Sequence, residues 1–290
     1  MKTTRVVKSL LCTLVGSAAV LVALPSAPSD AQPAVHRTLQ RAAAPVAPVT
    51  HNHFVTNLHG EVTGPRQVGF NVWDSGTSVS SIRALPWGVR ALVWLGQKCP
   101  TPPDAAFKKT VSGLAGEHKV FAYYLSDEPH IADCPGGPRA LAAQAAYVRS
   151  ASGGRQRSFI VLSKAEDFKP FRTAVTGVDM VGMDPYPCSV ANPTCDIAKI
   201  AQRVQAATSA GIELKRIVPT YQAFGQAAAT DGYYNLPTAD QMRAMVAAWA
   251  QVVPAPLMDY TYSWGHQSMS NPTLVDSPRL QAFFTAAFSA

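Results

Sequence analysis

The sequence predicts an α/β fold, a single-domain (β/α)8 TIM barrel in which one β/α unit is irregular or missing. Short apolar runs alternate with helix-like stretches along the chain after residue 53. The runs are nearly continuous rather than alternating, which is typical of parallel strands buried on both faces. No glycine-rich phosphate turn follows the first run, and this favours a barrel over the alternative, a doubly wound open sheet.

Seven segments have the composition of buried parallel strands. They are QVGFNVW (67–73), ALVWLG (91–96), VFAYYL (120–125), SFIVLS (158–163), VDMVGM (178–183), RIVPTY (216–221) and MDYTYS (258–263). A barrel needs an eighth strand, which we expect near 54–58 or between residues 72 and 91, where 80–85 resembles a weak helix.

Helix-like stretches separate these runs. The segments 138–150 and 195–210 have apolar residues at helical spacing, and Gly211 ends the second. Thr238 is a good N-cap for 239–252. Ser277 and Pro278 open a last helix that reaches about Phe288.

The N-terminal segment has the pattern of an export signal. Three cations precede an apolar run at 9–24 that is too short to span a membrane, and Ser29-Asp30-Ala31 offers a cleavage site. We therefore assign 1–31 to a signal peptide, 32–52 to a flexible Ala/Pro-rich linker and 53–290 to the barrel. We expect a secreted monomer with no membrane-spanning segment.

Charge and composition exclude some partners. The formal net charge is +7, but no Lys/Arg cluster is interleaved with aromatic residues, so no nucleic-acid partner is predicted. Hydrophobic residues make up 47% of the chain, enough for a sizeable core. The sequence also lacks the Gly-x-Ser-x-Gly motif of a serine esterase.

The cysteines indicate disulfides. Cys12 is removed with the signal, and the four that remain allow three pairings. We favour Cys99–Cys134, which follow neighbouring strands, and Cys188–Cys195, which share one loop. Zinc is the competing interpretation, but no tight Cys-x-x-Cys pair is present. No metal and no cofactor are therefore predicted.

Polar and aromatic residues gather at the predicted C-terminal ends of the strands, where barrels place their active sites. The candidates are Asn71, Asp74, Tyr124, Asp127, Glu128, Asp184, Tyr186, Gln222 and Trp264. Aromatic rings can stack on sugar rings, and acids and amides can bind sugar hydroxyls. Cleavage of a glycosidic bond needs two carboxyl groups. This mixture predicts a carbohydrate partner.

The motifs YYLSDEP, VDMVGMDPYP, PTYQAFG, PTADQMRAMV and YTYSWG, in this order, resemble a group of secreted glycoside-hydrolase-like TIM barrels. The resemblance implies that Glu128, in Asp-Glu-Pro, is the general acid. In the large clan of retaining barrel glycosidases, the nucleophile is a Glu near the end of a late strand, where this chain has Gln222. The second carboxylate would then be Asp184, Asp127 or Asp74, and we favour Asp184, which could act as a base across the site in an inverting enzyme.

The resulting hypothesis is a glycosidase in which Glu128 and Asp184 are catalytic. The substrate-binding residues would be Asp74, Asn71, Tyr124, Asp127, Tyr186, Gln222 and Trp264. The alternative is a catalytically inactive barrel that binds glycans or cell-wall carbohydrate, which Gln222 favours.

Overall fold

The computed structural model describes residues 50–226, 233–267 and 271–289. Eight strands lie in this part of the chain: β1 His53–Val55, β2 Val72–Ser75, β3 Arg90–Trp94, β4 Val120–Asp127, β5 Arg157–Leu162, β6 Met180–Met183, β7 Ile217–Gln222 and β8 Asp259–Tyr262. Each pairs in parallel with the next, and β8 pairs with β1, so the sheet closes into a barrel. The predicted (β/α)8 fold is confirmed.

Helices connect the strands. Those described are α1 Thr63–Val68, α2 Val79–Arg83, α3 Ala105–Leu114, α4 Gly137–Ser152, α5 Ala165–Phe168, α6 Thr173–Thr176, α7 Ala198–Ser209, α8 Ala239–Val252 and α9 Pro278–Phe288. Thr238 caps α8 together with Gln241, and Ser277 caps α9, as the sequence predicts. Each helix in this part of the chain is too short or too polar to cross a membrane.

Two strand predictions needed adjustment. The eighth strand is β1, which begins one residue before the suspected segment 54–58. The first predicted strand began too early, because α1 ends at Val68 and Gly69 terminates it at φ 107°. The strand itself starts only at Val72, which matters for the placement of Asn71 below.

Side chains that alternate along the strands fill the barrel interior. The interior cluster contains Phe54, Val72, Leu92, Tyr124, Phe159, Val161, Met180, Val218 and Tyr260. Gly182 makes room for this layer, because a Cβ there would lie 2.9 Å from the Phe159 ring. The opposite strand faces pack against the helices.

The N-terminal end of the barrel, which we call the barrel floor, is closed by Phe121. The guanidinium groups of Arg90 and Arg157 lie 4.4 Å and 5.3 Å from its ring centroid. At the β1–β8 seam beside them, His53 Nδ1 lies 2.8 Å from Asp259 Oδ2.

Both predicted disulfides are confirmed. Cys99–Cys134 joins the loops after β3 and β4, and Cys188–Cys195 closes a short loop after β6. Both therefore stiffen loops at the C-terminal end of the barrel. The predicted signal peptide and linker residues 32–49 lie outside the described residues.

Candidate active site

A cavity of about 220 Å³ opens at the C-terminal end of the barrel, which we call the mouth. Its lining residues are Thr56, Asn57, Asp74, Leu92, Trp94, Tyr124, Asp127, Tyr260, Tyr262 and Gln267. They come from the ends of β1, β2, β3, β4 and β8, so one side of the barrel supplies nearly all of the lining. Three of them, Asp74, Tyr124 and Asp127, are candidates from the sequence.

Two carboxyl groups face this cavity. Asp74 Oδ2 accepts a hydrogen bond of 3.0 Å from the Asn57 N–H, while Oδ1 is buried and has no partner among the described residues. Asp127 Oδ1 accepts a hydrogen bond of 2.6 Å from the Tyr124 hydroxyl. Burial raises the pKa of Asp74. Partial desolvation by the surrounding protein also raises the pKa of Asp127, although its side chain is exposed to solvent.

Aromatic rings form the rest of the wall. Trp94 is 41% exposed and stands edge-on to Tyr124, with ring centroids 4.6 Å apart. Tyr260 and Tyr262 lie across from them on β8, also edge-on to each other. An exposed indole beside carboxylates offers an apolar face and hydrogen-bond acceptors together, which is the combination that a sugar ring needs.

Beside the cavity, Glu128 and Asp184 form a pair that we call the carboxyl dyad. Asp184 follows β6, is only 6% exposed and lies close enough to Glu128 for the two carboxyl groups to interact electrostatically. Burial, followed by the interaction with Glu128, raises the pKa of Asp184 well above its usual range. Two carboxyl groups this close to each other do not both ionise readily.

The backbone at Glu128 has an unusual conformation. Its φ is 45°, in the left-handed region, although Pro129 follows it. The Glu128 N–H donates to the Val161 carbonyl on β5 at 3.1 Å. Such conformations persist where the surroundings enforce them, and they concentrate at functional sites.

The segment after Glu128 is tied down by a second contact. His130 Nδ1 lies 2.8 Å from Asp167 Oδ2, and Asp167 Oδ1 accepts a hydrogen bond of 2.7 Å from the Ile131 N–H. Asp167 is buried in α5. These bonds fix the loop that carries the dyad against the next β/α unit.

The charges of the dyad act on two nearby tyrosines, one of which lines the cavity. Burial raises the pKa of Tyr262, which lines the cavity, to about 12, and the charges of Asp127, Glu128 and Asp184 add to that rise. Burial and then the charge of Asp184 raise the pKa of Tyr186 as well. The dyad therefore lies close enough to the cavity to act electrostatically on its wall.

Gln222 is placed differently from the prediction that it binds substrate. Its side chain is fully buried, and Oε1 accepts a hydrogen bond of 3.0 Å from the Cys188 N–H. Its amide nitrogen donates to the carbonyls of Cys188 at 2.8 Å and Asn235 at 3.0 Å. The amide thus holds the disulfide loop after β6, and we withdraw it from the substrate-binding set.

Asn71 and Trp264 also lie away from the cavity. Asn71 precedes β2, so it sits at the barrel floor, where Oδ1 accepts from the His53 N–H at 2.9 Å and Nδ2 donates to the His51 carbonyl. Trp264 is 3% exposed and packs against Phe70 and α1, outside the strands. We withdraw both from the site.

Sequence reasoning missed several lining residues, chiefly Trp94, Tyr260, Tyr262 and Thr56. The signal that could have found them is the alternation along each strand. Tyr260 and Tyr262 are two residues apart and share the inner face of β8, whereas Trp264 lies beyond the strand end. Among the described residues, no group of three or more His, Cys, Asp or Glu side chains is arranged to hold a metal ion.

Comparisons with known proteins agree with the fold. No protein-family model matches the chain, and no curated protein is significantly similar in sequence. A β-galactosidase from the psychrophilic Marinomonas ef1 superposes with a TM-score of 0.57 at 10% identity, over 82% of this chain and 59% of that one. This chain therefore spans well under two thirds of that enzyme.

Two other structures match over most of their own length. The GH18 chitinase ChiB of Flavobacterium johnsoniae has a TM-score of 0.55 at 9% identity, over 84% of this chain and 94% of that one. A GH128 endo-β-1,3-glucanase of Amycolatopsis mediterranei, in complex with laminaritriose, has a TM-score of 0.51 at 12% identity, over 81% of this chain and 98% of that one. At these identities the likeness shows a barrel fold like that of glycoside hydrolases.

Proposed function

We propose that this protein is a secreted glycoside hydrolase in which the carboxyl dyad delivers a proton to a glycosidic oxygen. The observation that carries this proposal is the electrostatic interaction of Glu128 with the buried Asp184 beside an aromatic-lined cavity at the barrel mouth. Carboxyl groups that share a proton in a cleft are a recognised arrangement for acid–base chemistry. The (β/α)8 neighbours among glycosidases support the same reaction class.

The chemistry requires one proton to move out and one to return. Glu128, which is half-buried and therefore more accessible than Asp184, takes the shared proton and donates it to the glycosidic oxygen. The bond from that oxygen to the anomeric carbon breaks, and the dyad then faces the developing positive charge with both groups ionised. Water adds to the anomeric carbon, and its released proton restores the dyad.

Asp184 takes a role different from the one expected from the sequence. An inverting base would stand roughly 6.5–9.5 Å from the acid, with room for water between them. Here Asp184 is buried, and Glu128 is near enough to raise its pKa. Asp184 is therefore the group that holds the proton and tunes Glu128, and it does not itself activate a water molecule across an open cleft.

The test is hydrolysis of a panel of polysaccharides and aryl glycosides by the wild type and by Glu128→Gln. We expect Glu128→Gln to lower kcat by about 10²–10⁴-fold on any substrate that the wild type cleaves. Glu166→Gln, an exposed position in the first turn of α5, is the matched control and should retain activity. Equal activity of Glu128→Gln and the wild type would refute the catalytic role.

A binding protein without turnover is the second candidate. It is favoured by Gln222, whose amide stands where the retaining clan has its nucleophile and is fully engaged with backbone groups. Calorimetry and hydrolysis assays on the same oligosaccharides separate the two functions. Tight binding without product from the wild type would support the second candidate.

Export of the protein is part of the same proposal. The N-terminal sequence pattern and the two disulfides support export. N-terminal sequencing of the protein recovered from culture medium should begin at Gln32. Recovery only inside cells, with the N-terminus intact, would contradict it.

A further inference from the structure

We propose that the cavity accommodates an amino sugar, with its protonated amine held between Asp74 and Asp127. This inference rests on the proposed carbohydrate function and names the class of sugar. It would apply equally to a hydrolase and to a binding protein. The ligand class is a pyranose with a free amine, as in a de-acetylated hexosamine oligosaccharide.

The charge of the lining is the first support. The residues that surround the cavity include Asp74 and Asp127 but no lysine or arginine. Among the described residues, neither carboxylate has a cation within salt-bridge distance, although His59 and Lys98 act on them from further away. The neighbouring dyad adds negative charge. A cavity of this kind attracts a cation and repels a uronic acid.

The aromatic lining is the second support. Tyr124, Tyr260, Tyr262 and the exposed Trp94 surround the same space as the two carboxylates. The faces of aromatic rings attract cations, and an ammonium group is held best where π faces and carboxylates converge. A neutral sugar would use the ring faces but leave the carboxylate charges uncompensated.

Unpartnered polar atoms in the cavity are the third support. Thr56 is 7% exposed and lines the cavity, yet its Oγ1 has no hydrogen-bond partner among the described residues. Asp74 Oδ1 is buried without a partner in the same wall. Buried polar atoms are nearly always hydrogen-bonded, so these two are suited to a ligand. A protonated amine offers three donors, and a ring hydroxyl can pair with Thr56.

The Tyr260 hydroxyl is the protein group that competes for Thr56. Burial raises the pKa of Tyr260 well above its usual range, and the nearby Thr56 hydroxyl opposes that rise. The two groups nevertheless form no hydrogen bond of normal geometry. Thr56 Oγ1 thus stays available to a ligand.

The size of the cavity limits what enters it. A volume of about 220 Å³ lies below the roughly 300–1,000 Å³ of sites for drug-sized ligands. It suits one sugar ring with the rest of an oligosaccharide outside. The amine-bearing ring would then lie next to the dyad, and its neighbour would extend over Trp94 towards solvent.

The test is calorimetry with four trisaccharides on the Glu128→Gln background, which slows any turnover. They are the glucosamine trimer, the N-acetylglucosamine trimer, laminaritriose and the galacturonic acid trimer, at one ionic strength and at a pH below the pKa of the amine. We expect the glucosamine trimer to bind about tenfold more tightly than the N-acetylated trimer, because a charge-assisted bond is lost on acetylation. The galacturonic acid trimer should bind most weakly.

Variants locate the effect. Adding Asp127→Asn should remove the tenfold preference, because it weakens binding of the glucosamine trimer more than binding of the N-acetylated trimer. Adding Asp133→Asn, which removes one exposed charge from the loop after β4, should keep the preference. If Asp127→Asn fails to fold, the test rests on the Glu128→Gln variant with Asp127 unchanged. Its relative affinity for the glucosamine and N-acetylglucosamine trimers then decides the question.

The outcomes separate this inference from the proposed function. Equal or tighter binding of the N-acetylated or neutral trimer overturns the amino-sugar inference and leaves the carbohydrate function standing. A tenfold preference for the glucosamine trimer supports the inference even if the wild type cleaves none of the four. Absence of binding to all four overturns it.

Discussion

The carboxyl groups in and beside the cavity differ in their pairing from those at the barrel floor. At the floor, Asp179 meets Arg149, Glu117 meets Arg83, and Asp259 meets His53, each within salt-bridge distance. At the mouth, Asp74, Asp127 and the carboxyl dyad have no such partner among the described residues, and Asp184 keeps a buried oxygen unpaired.

The guanidinium groups are distributed differently as well. Two of them lie 4.4 Å and 5.3 Å from the Phe121 ring centroid at the floor, whereas no arginine or lysine lines the cavity at the mouth. Paired charges stabilise or are neutral, while unpaired buried charges are costly. From this difference we expect the floor to stabilise the barrel and the mouth to carry the proposed function, as is general for this fold.

Phe121→Ala should give the largest effect on stability. It removes a buried ring and the surface on which Arg90 and Arg157 rest, so we expect the free energy of unfolding to fall by about 3–5 kcal/mol. Urea denaturation measures it. At temperatures where the variant stays folded, its ligand affinity should equal that of the wild type. Loss of affinity in the folded variant would break the division between the two ends.

Asp184→Asn should stabilise the protein while abolishing activity. The native protein keeps the Asp184 proton at pH values where an Asp in the unfolded chain, with a pKa of about 3.9, has lost it. Stability of the wild type therefore falls as pH rises through that window, and Asn, which cannot ionise, removes the fall.

Asp184→Asn should therefore be more stable than the wild type at pH 7, and the difference between the two proteins should grow from pH 4 to pH 7. Urea denaturation at pH 4 and pH 7 measures it, with Asp133→Asn as the exposed control. A variant that is less stable than the wild type at pH 7, and no worse at pH 4, would show instead that an ionised Asp184 stabilises the fold.

Alanine substitutions of two exposed tryptophans, Trp94 and Trp87, compare sugar binding at the two ends of the barrel. Trp94 is 41% exposed at the mouth, and Trp87 is 89% exposed in the loop that enters β3 at the floor. Trp94→Ala should weaken oligosaccharide binding by about 1 kcal/mol, roughly fivefold, and leave stability nearly unchanged. Trp87→Ala should change neither. Equal losses of affinity would mean that sugars bind both ends.

Much of the barrel could be predicted because buried parallel strands leave a strong mark in a sequence. Both disulfides followed once the strands were in order. The helix α3 was not predicted, although Asp104 caps it and Phe107, Val111 and Leu114 form its buried face. Its charged and small residues weakened the apolar pattern that identifies a helix.

The site was predicted less completely, and the reasons are geometric. Asn71 was misplaced because the predicted strand began too early. Asn71 therefore seemed to lie at the C-terminal end of the strand, whereas it precedes β2 at the barrel floor. Trp264 was misplaced because it lies past the end of β8, where alternation no longer determines direction. The burial of Gln222 depends on a disulfide loop that folds over it, which no local pattern reveals.

The most direct test is the crystal structure of Glu128→Gln soaked with the glucosamine trimer. We expect a sugar ring in the mouth against Trp94, its amine between Asp74 and Asp127, and a glycosidic oxygen within hydrogen-bonding distance of residue 128. A trimer bound at the floor, or elsewhere on the surface with the mouth left free, would contradict the assignment of function to this end of the barrel.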